Sequence, residues 1–233
     1  MIKLDLHTHS VASHAINTVY ELAKEASEKS VELIALTEHG PSMKGAPIPS
    51  YFDLVSRIPQ YLYGVRILKG CEANIINTRG DIDIGKNILD KLDIVLAGLH
   101  DETPFPEGMG RDYNTDAVVA CINKGLINIV SHPFKKRFPT DVKRIVECAA
   151  NSRVALELNC SIFKDYDLQV YEATKVMLDL CKKYSVPVAI NSDAHVACEI
   201  GDNSSVLHLF DLNGLDILNK DRDRLSLFLN RTK

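Results

Sequence analysis

The 233-residue sequence predicts an α/β fold, a distorted TIM-like (β/α)7 barrel built as a single domain over residues 1–233. Three observations predict it. Short apolar, β-branched runs alternate with amphipathic helical patterns along the whole chain, the pattern of parallel βα units. Seven such runs are present, and no eighth follows the last. Polar residues, above all histidines, stand at or just past the run ends, where a barrel gathers its site. An open doubly wound sheet is the alternative fold, but it collects ligands at one switch-point crevice and not at every strand end.

The first strand is Ile2–His7, followed by a helix over Thr18–Ser30. The second is Glu32–Thr37, followed by a helix over Tyr51–Tyr63. The third, Val65–Asn74, precedes a helix at Ile84–Asp90. The fourth, Asp93–His100, runs into a long loop, Asp101–Tyr113, with Pro104, Pro106, Gly108 and Gly110. The helix Thr115–Lys124 follows, with Asn114 or Thr115 as its N-cap and Gly125 just past its end. The fifth and sixth strands, Leu126–His132 and Arg153–Asn159, flank a helix at Asp141–Asn151. In the helix Asp167–Tyr184, Val170, Ala173, Thr174, Met177, Leu180 and Cys181 recur at helical spacing. The seventh strand is Val186–Asn191, and helices at Ser204–Leu212 and Arg222–Asn230 close the chain.

Composition narrows the class of protein. Hydrophobic content of 45% and charged content of 25% are ordinary for a globular domain, and a net charge of −4 argues against a nucleic-acid partner. The six cysteines are scattered without a CxxC pair, which predicts reduced thiols and no Cys-ligated zinc. The N-terminal segment enters a strand without a basic leader, and no apolar run approaches the roughly 20 residues of a membrane span. A cytoplasmic location with no membrane partner is the expectation. The outer helices leave a homo-oligomer open.

The motifs carry the chemistry. In Asp5-Leu6-His7-Thr8-His9, strand alternation puts Asp5, His7 and His9 on one face, where two imidazoles can chelate one ion and Asp5 can fix an imidazole tautomer. Gly40 after Thr37-Glu38-His39 permits a sharp turn that aims His39 inward. Glu72 lies in an apolar strand, where a carboxylate is costly unless paired or metal-bound. His100 and His132 each end an apolar run, and Asp193 and His195 share a face after Val188-Ala189-Ile190. Each motif alone is ordinary: incidental polar residues explain an HxH pair, and a lone histidine is commonly a hydrogen-bonded core residue. His208, on a helix between Leu207 and Leu209, is such a histidine and carries no role. Jointly, His7, His9, His14, His39, Glu72, His100, His132, Asp193 and His195 offer nine donors of a type suited to zinc or manganese. Nine exceed one tetrahedral site and imply two or three ions.

DLHTH, His14, TEHG, the Glu72 strand, His100, SHP and SDAH, in that order, resemble the PHP (polymerase and histidinol phosphatase) phosphoesterase superfamily. The segments SVASHAINT, ALTEHGP, KGCEANI, AGLHD, VSHP and LELNCSIF look closest to its YcdX-type bacterial phosphatases. The resemblance implies a distorted (β/α)7 barrel and three divalent ions, usually zinc, with manganese or iron as alternatives. His7, His9, Glu72 and Asp193 would bind the first ion. Glu72 would bridge to a second held by His100 and His132, and His14, His39 and His195 would hold the third. TEHG carries Glu38 where the family often has Asp, and the loop from His9 to His14 is about one residue shorter.

The implied reaction is hydrolysis of a small phosphate monoester by a metal-bound hydroxide positioned by Glu72 and Asp193. Arg111, Lys135, Lys136 and Arg137 are candidate substrate contacts, against the alternative of solvated loop charges. Asn159 and Asn74 are candidate contacts too, and Asn74 alternatively satisfies a turn. Competing functions are a histidinol phosphatase, a nucleotide phosphodiesterase or exonuclease, and a metal-stabilised interaction module without catalysis. An amidohydrolase is disfavoured because the fourth strand ends Ala97-Gly98-Leu99-His100, without that family's lysine.

Overall fold

The computed structural model describes residues 2–231. Its strands are β1 (Leu4–Thr8), β2 (Leu33–Leu36), β3 (Tyr61–Leu62), β4 (Val65–Asn74), β5 (Ile94–Gly98), β6 (Ile129–Val130), β7 (Ala155–Asn159) and β8 (Val188–Asn191). Its helices are α1 (Val19–Glu28), α2 (Pro49–Leu54), α3 (Lys86–Leu89), α4 (Arg111–Asn123), α5 (Val142–Ala150), α6 (Leu168–Tyr184), α7 (Ser204–Leu207) and α8 (Arg222–Arg231). Seven strands run parallel in the order β1-β2-β4-β5-β6-β7-β8, and β3 pairs antiparallel with β4 off this path. The expected seven-stranded barrel is thus the fold. No helix among the described residues is long and apolar enough to cross a membrane.

The ring is nearly closed, and side chains complete it. Thr8 bridges Ala194, and the His9 N–H donates to the Ala194 carbonyl at 2.9 Å. Lower on the seam, the Leu6 N–H donates to Asn191 Oδ1 at 3.1 Å. Below that, Asn219 donates to the Leu4 and Ile190 carbonyls at 2.7 and 2.6 Å and accepts from the Ile190 N–H at 3.0 Å. Buried strand-edge groups must find partners, and here two asparagines stand in for a ladder.

All seven barrel strands feed one apolar cluster: Leu4, Leu6, Leu33, Ala35, Leu68, Ile94, Leu96, Ile129, Ala155 and Ala189. Leu225 and Phe228 of α8 join it. This is the barrel interior. Alternation then fixes what lies above it on the same faces: Gly70, Glu72 and Asn74 on β4, Gly98 on β5, Glu157 and Asn159 on β7, and Asn191 on β8. A second cluster fills the space between the sheet and its helices, including Val95, Ala97, Val130, Leu156, Leu158, Ile145 and Met177. A third packs α1 against Ile34, Leu36 and Ile67.

Several element boundaries differ from the sequence reading. The helix expected over Tyr51–Tyr63 stops at Leu54, passes through a 3-10 turn at Val55–Arg57, and ends in β3. Gly64, at φ 80°, makes the tight reversal into β4 that a helix could not. The helix expected at Thr115 begins one turn earlier: Gly110, at φ 86°, is its N-cap, so Arg111 is helical and not part of the loop. The Thr115 hydroxyl donates to the Arg111 carbonyl within that helix. The strand expected over Leu126–His132 pairs only at Ile129–Val130, and the helix expected over Ser204–Leu212 is the single turn α7.

Candidate metal centre

The strand ends bring eight of the nine expected donors into one buried pocket. A β-bulge sets up the first pair. Between Asp5 and Thr8, β1 advances three residues while β2 advances two, from Ile34 to Leu36. The extra residue breaks the alternation, as bulges beside functional sites do. His7 and His9 consequently face each other, Nε2 to Nε2, at 3.1 Å. Asp5 is turned away from them, which corrects the expectation that it shares their face and orients an imidazole. It accepts from the Ser192 N–H at 3.1 Å, the Ser192 hydroxyl at 2.5 Å and the Gly201 N–H at 2.9 Å. Its work is to hold the turn that carries Asp193.

The tautomer-fixing carboxylate is Glu157, which the sequence reading missed. Glu157 Oε1 lies 2.8 Å from His7 Nδ1, leaving His7 Nε2 to face the centre. Its Oε2 accepts from the His132 N–H at 2.7 Å. The signal was present: Glu157 sits between Leu156 and Leu158 in a buried strand, the same context that singled out Glu72.

Glu72 is the hub. Its Oε1 lies 3.0 Å from His100 Nε2 and 2.7 Å from His132 Nε2. Its Oε2 lies 3.2 Å from His7 Nε2, 3.5 Å from His9 Nε2 and 2.9 Å from His39 Nδ1. Asp193 Oδ1 adds contacts of 3.4 and 3.3 Å to His7 and His9 Nε2. Around an ion with bonds of about 2.0–2.1 Å, tetrahedral donors stand about 3.3 Å apart. The contacts of Glu72 Oε2 and Asp193 Oδ1 with His7 and His9, at 3.2–3.5 Å, match that edge. Glu72 Oε2, Asp193 Oδ1 and His39 Nδ1 are buried yet make no hydrogen bond of proper geometry. Buried polar atoms that face one another without bonding are what a cation satisfies, so the residues fit divalent ions. Donor atoms cluster in three overlapping groups: His7, His9 and Glu72; His39, Glu72 and His100; and His9, His39 and His195. His14 stands outside these groups. It is exposed at φ 58°, its ring centroid 5.8 Å from that of His39.

Backbone strain collects here. His132 sits at φ 27° and Asp193 at φ 55°, left-handed conformations that non-glycine residues hold only when surroundings impose them. Asp193 and His195 lie in the turn beyond β8, not on a strand face, and His195 Nδ1 contacts the Asp193 carbonyl at 3.0 Å. Two glycines give room. A Cβ on Gly98 would fall 2.7 Å from His132 Cε1, and one on Gly40 would fall 2.2 Å from Asp83 Oδ1. Gly40 thus leaves room for the Asp83 carboxylate, and its φ is not in the left-handed region that a glycine turn would use.

Electrostatics suit metal binding. Burial and the neighbouring His39 push His9 down to about 3, and burial likewise lowers His100 and His132. Neutral imidazoles are the form that binds metal. Burial opposes a proton on His7, but Glu72, Glu157 and Asp193 outweigh it and raise this imidazole. Burial also opposes charge on Glu72, yet His7, His100, His39 and His132 together hold its carboxyl well below the usual range. Glu38 is buried beside His39, pushed up to about 7 by burial, and bonded to Ser10.

The expected substrate contacts divide. Asn159 is consumed internally: its amide donates to Glu157 Oε2 at 3.0 Å and Asp193 Oδ2 at 3.1 Å, and its oxygen accepts from the Ser161 and Ile162 N–H groups. It positions Asp193 and does not present itself to a substrate. Asn74 serves the Gly40 turn, donating to the Gly40 carbonyl and to Asp83. Arg111 is exposed and paired with Asp141 at 2.7 Å. Lys136 and Arg137 pair with Asp167 and Asp101. Lys135 is half-buried, and among the described residues no carboxylate pairs with it. His208 is exposed and belongs to none of the donor groups.

Comparison with known proteins places this geometry. The PHP domain family profile matches residues 5–207. A probable phosphatase of Caldanaerobacter subterraneus is 37% identical over 234 residues, covering 99% of this chain and 92% of the relative. A probable phosphatase of Proteus mirabilis is 39% identical over 214 residues, covering 90% and 85%. A histidinol phosphate phosphatase of Lactococcus lactis, solved with zinc, L-histidinol and phosphate, shares the fold. It is 17% identical at a TM-score of 0.58, covering 99% of this chain and 93% of that one.

Proposed function

We propose a function on one premise: the chain belongs to the PHP domain family. It is a phosphoric ester hydrolase, a metal-dependent phosphatase acting on phosphate monoesters. The observation that carries the reading is Glu72, whose two carboxylate oxygens face two different imidazole sets within one buried pocket. The proposal takes residues 1–233 as one catalytic unit holding three divalent ions, with zinc the best match to the donor set. His7, His9, Glu72 and Asp193 would hold the first. Glu72, His100 and His132 would hold the second, and His39 and His195, with His14 at the mouth, the third. Bound there, divalent ions supply Lewis-acid charge for phosphoryl oxygens and a water acidic enough to attack phosphorus at neutral pH.

The chain's own residues do the rest. Glu157 keeps the His7 proton on Nδ1, away from the centre. Asn159 and Asp5 hold Asp193 and its turn in place. The strained turns at His132 and Asp193 fix donors in advance of binding, which is the preorganisation a phosphoryl-transfer site needs. Eight donors gathered in one pocket speak against an interaction module that has lost catalysis. The test is hydrolysis of phenyl phosphate before chelation, after chelation, and after return of zinc or manganese. Activity lost and then restored supports the reading. Activity indifferent to chelator refutes it.

A further inference from the structure

A cavity of about 310 Å³ is walled by Arg111, Phe134, Lys135, Lys136, Val170 and Ala173. Its position follows from the topology. It lies where the loop after β6 meets the first turns of α4 and α6, so it opens on the catalytic face of the barrel. One side is apolar: Phe134 and Val170 are buried in the main core. The other side is basic. The cations differ in how they are used. Arg111 is held by Asp141 and Lys136 by Asp167, and those carboxylates also cap α5 and α6. Lys135 alone of the three has no carboxylate partner among the described residues.

Lys135 also links the cavity to the centre. It lines both this cavity and the narrow cleft beside His132, Pro133 and Ser131. A tight turn holds it there, with the Phe138 N–H donating to the Lys135 carbonyl at 3.0 Å. Lys135 is half-buried and meets no carboxylate among the described residues, and a cation so placed favours an anion that a ligand brings.

Resting on the phosphatase reading, we propose that Lys135 and this cavity form a leaving-group subsite, selecting phosphate monoesters whose alcohol carries a second anion on an apolar body. The scissile phosphate sits at the metal centre, the apolar body against Phe134 and Val170, and the second anion, a carboxylate or another phosphate, at Lys135.

The test compares phenyl phosphate with 4-carboxyphenyl phosphate and 1,4-phenylene bisphosphate on the zinc-loaded protein, in wild type, Lys135→Gln and Lys135→Arg. One charge-assisted hydrogen bond predicts about a tenfold higher kcat/KM for an anion-bearing ester over phenyl phosphate. That ratio should fall to near one in Lys135→Gln and persist in Lys135→Arg. Whichever anionic ester shows the larger ratio identifies the second anion. A fault in folding would lower all three rates together and leave the ratio intact. A binding readout accompanies the kinetics: by calorimetry, 4-hydroxybenzoate should bind wild type more tightly than phenol does, and this difference should vanish in Lys135→Gln. Hydrolysis of every ester without preference, or a preference that survives Lys135→Gln, overturns the subsite alone. Hydrolysis of none overturns the phosphatase reading, and the calorimetric comparison then decides whether Lys135 receives the anion.

Discussion

Glu157 shows how much a single residue outside the donor set does. One oxygen meets His7 Nδ1 and the other the His132 N–H, so it supports two of the candidate donors at once. Removing such a support typically costs 10–100-fold in metal affinity or activity. Glu157→Gln should therefore weaken zinc binding by about that factor in a competition titration while the fold persists. An unchanged affinity would show that His7 needs no orienting partner. Glu157 was legible in the sequence by the same argument that found Glu72, a carboxylate between buried leucines. Its position in mid-strand hides it, because polar residues at strand ends, Asn159 here, are the stronger sequence signal. Asp5 failed differently: strand alternation cannot foresee a bulge, and the bulge turned it away from the histidines.

Cysteines mark the same scale. Burial pushes Cys121 and Cys181 up to about 12, and raises Cys71 and Cys160 in the same direction. A folded pKa above the unfolded one adds stability that is complete below the unfolded value, about 9 for a thiol, and is lost as pH rises toward the folded value. The urea midpoint should thus fall between pH 8 and pH 10. A midpoint that holds or rises would contradict buried thiols. With a thiol reagent, exposed Cys198 should react first.

At the scale of elements, the parallel order was legible because each βα unit repeats the same signal, and every strand end carried its polar residue. The boundaries were not. The helix pattern over Tyr51–Tyr63 hid a hairpin, because apolar spacing does not report the left-handed Gly64 that reverses the chain. Thr115 looks like an N-cap in the sequence, but Gly110 fills that position about one turn earlier. Seam closure was also invisible, since it depends on Asn219, 28 residues from its hydrogen-bond partner Asn191. Asn219→Ala would leave the Leu4 carbonyl and both Ile190 backbone groups buried without partners. Orphaning such groups costs about 1–3 kcal/mol each before relaxation. We expect a loss of about 3 kcal/mol from denaturant unfolding. A loss below about 0.5 kcal/mol, the range of ordinary surface substitutions, would show that the seam contributes little.

At the scale of the molecule, an apolar floor, a ring of strands and a polar rim make one device. The floor repels water from below, and the ring aims donors from six of its seven strand ends toward one point. Those donors converge on Glu72 with spacings that fit cations better than they fit one another. Metal binding to the native state alone stabilises it by mass action, about 4 kcal/mol at a thousandfold excess over Kd. Chelation should accordingly lower the thermal midpoint by about 10 °C, and zinc should restore it. If Glu72 divides a multinuclear site, its loss should empty more than one position. The direct test is elemental analysis of protein purified without chelator, with wild type beside Glu72→Gln. Wild type should hold about three divalent ions per chain, at three to four protein ligands per ion with Glu72 shared, and the variant fewer. Wild-type protein that holds none, and takes up none when zinc or manganese is supplied, would contradict the multinuclear site.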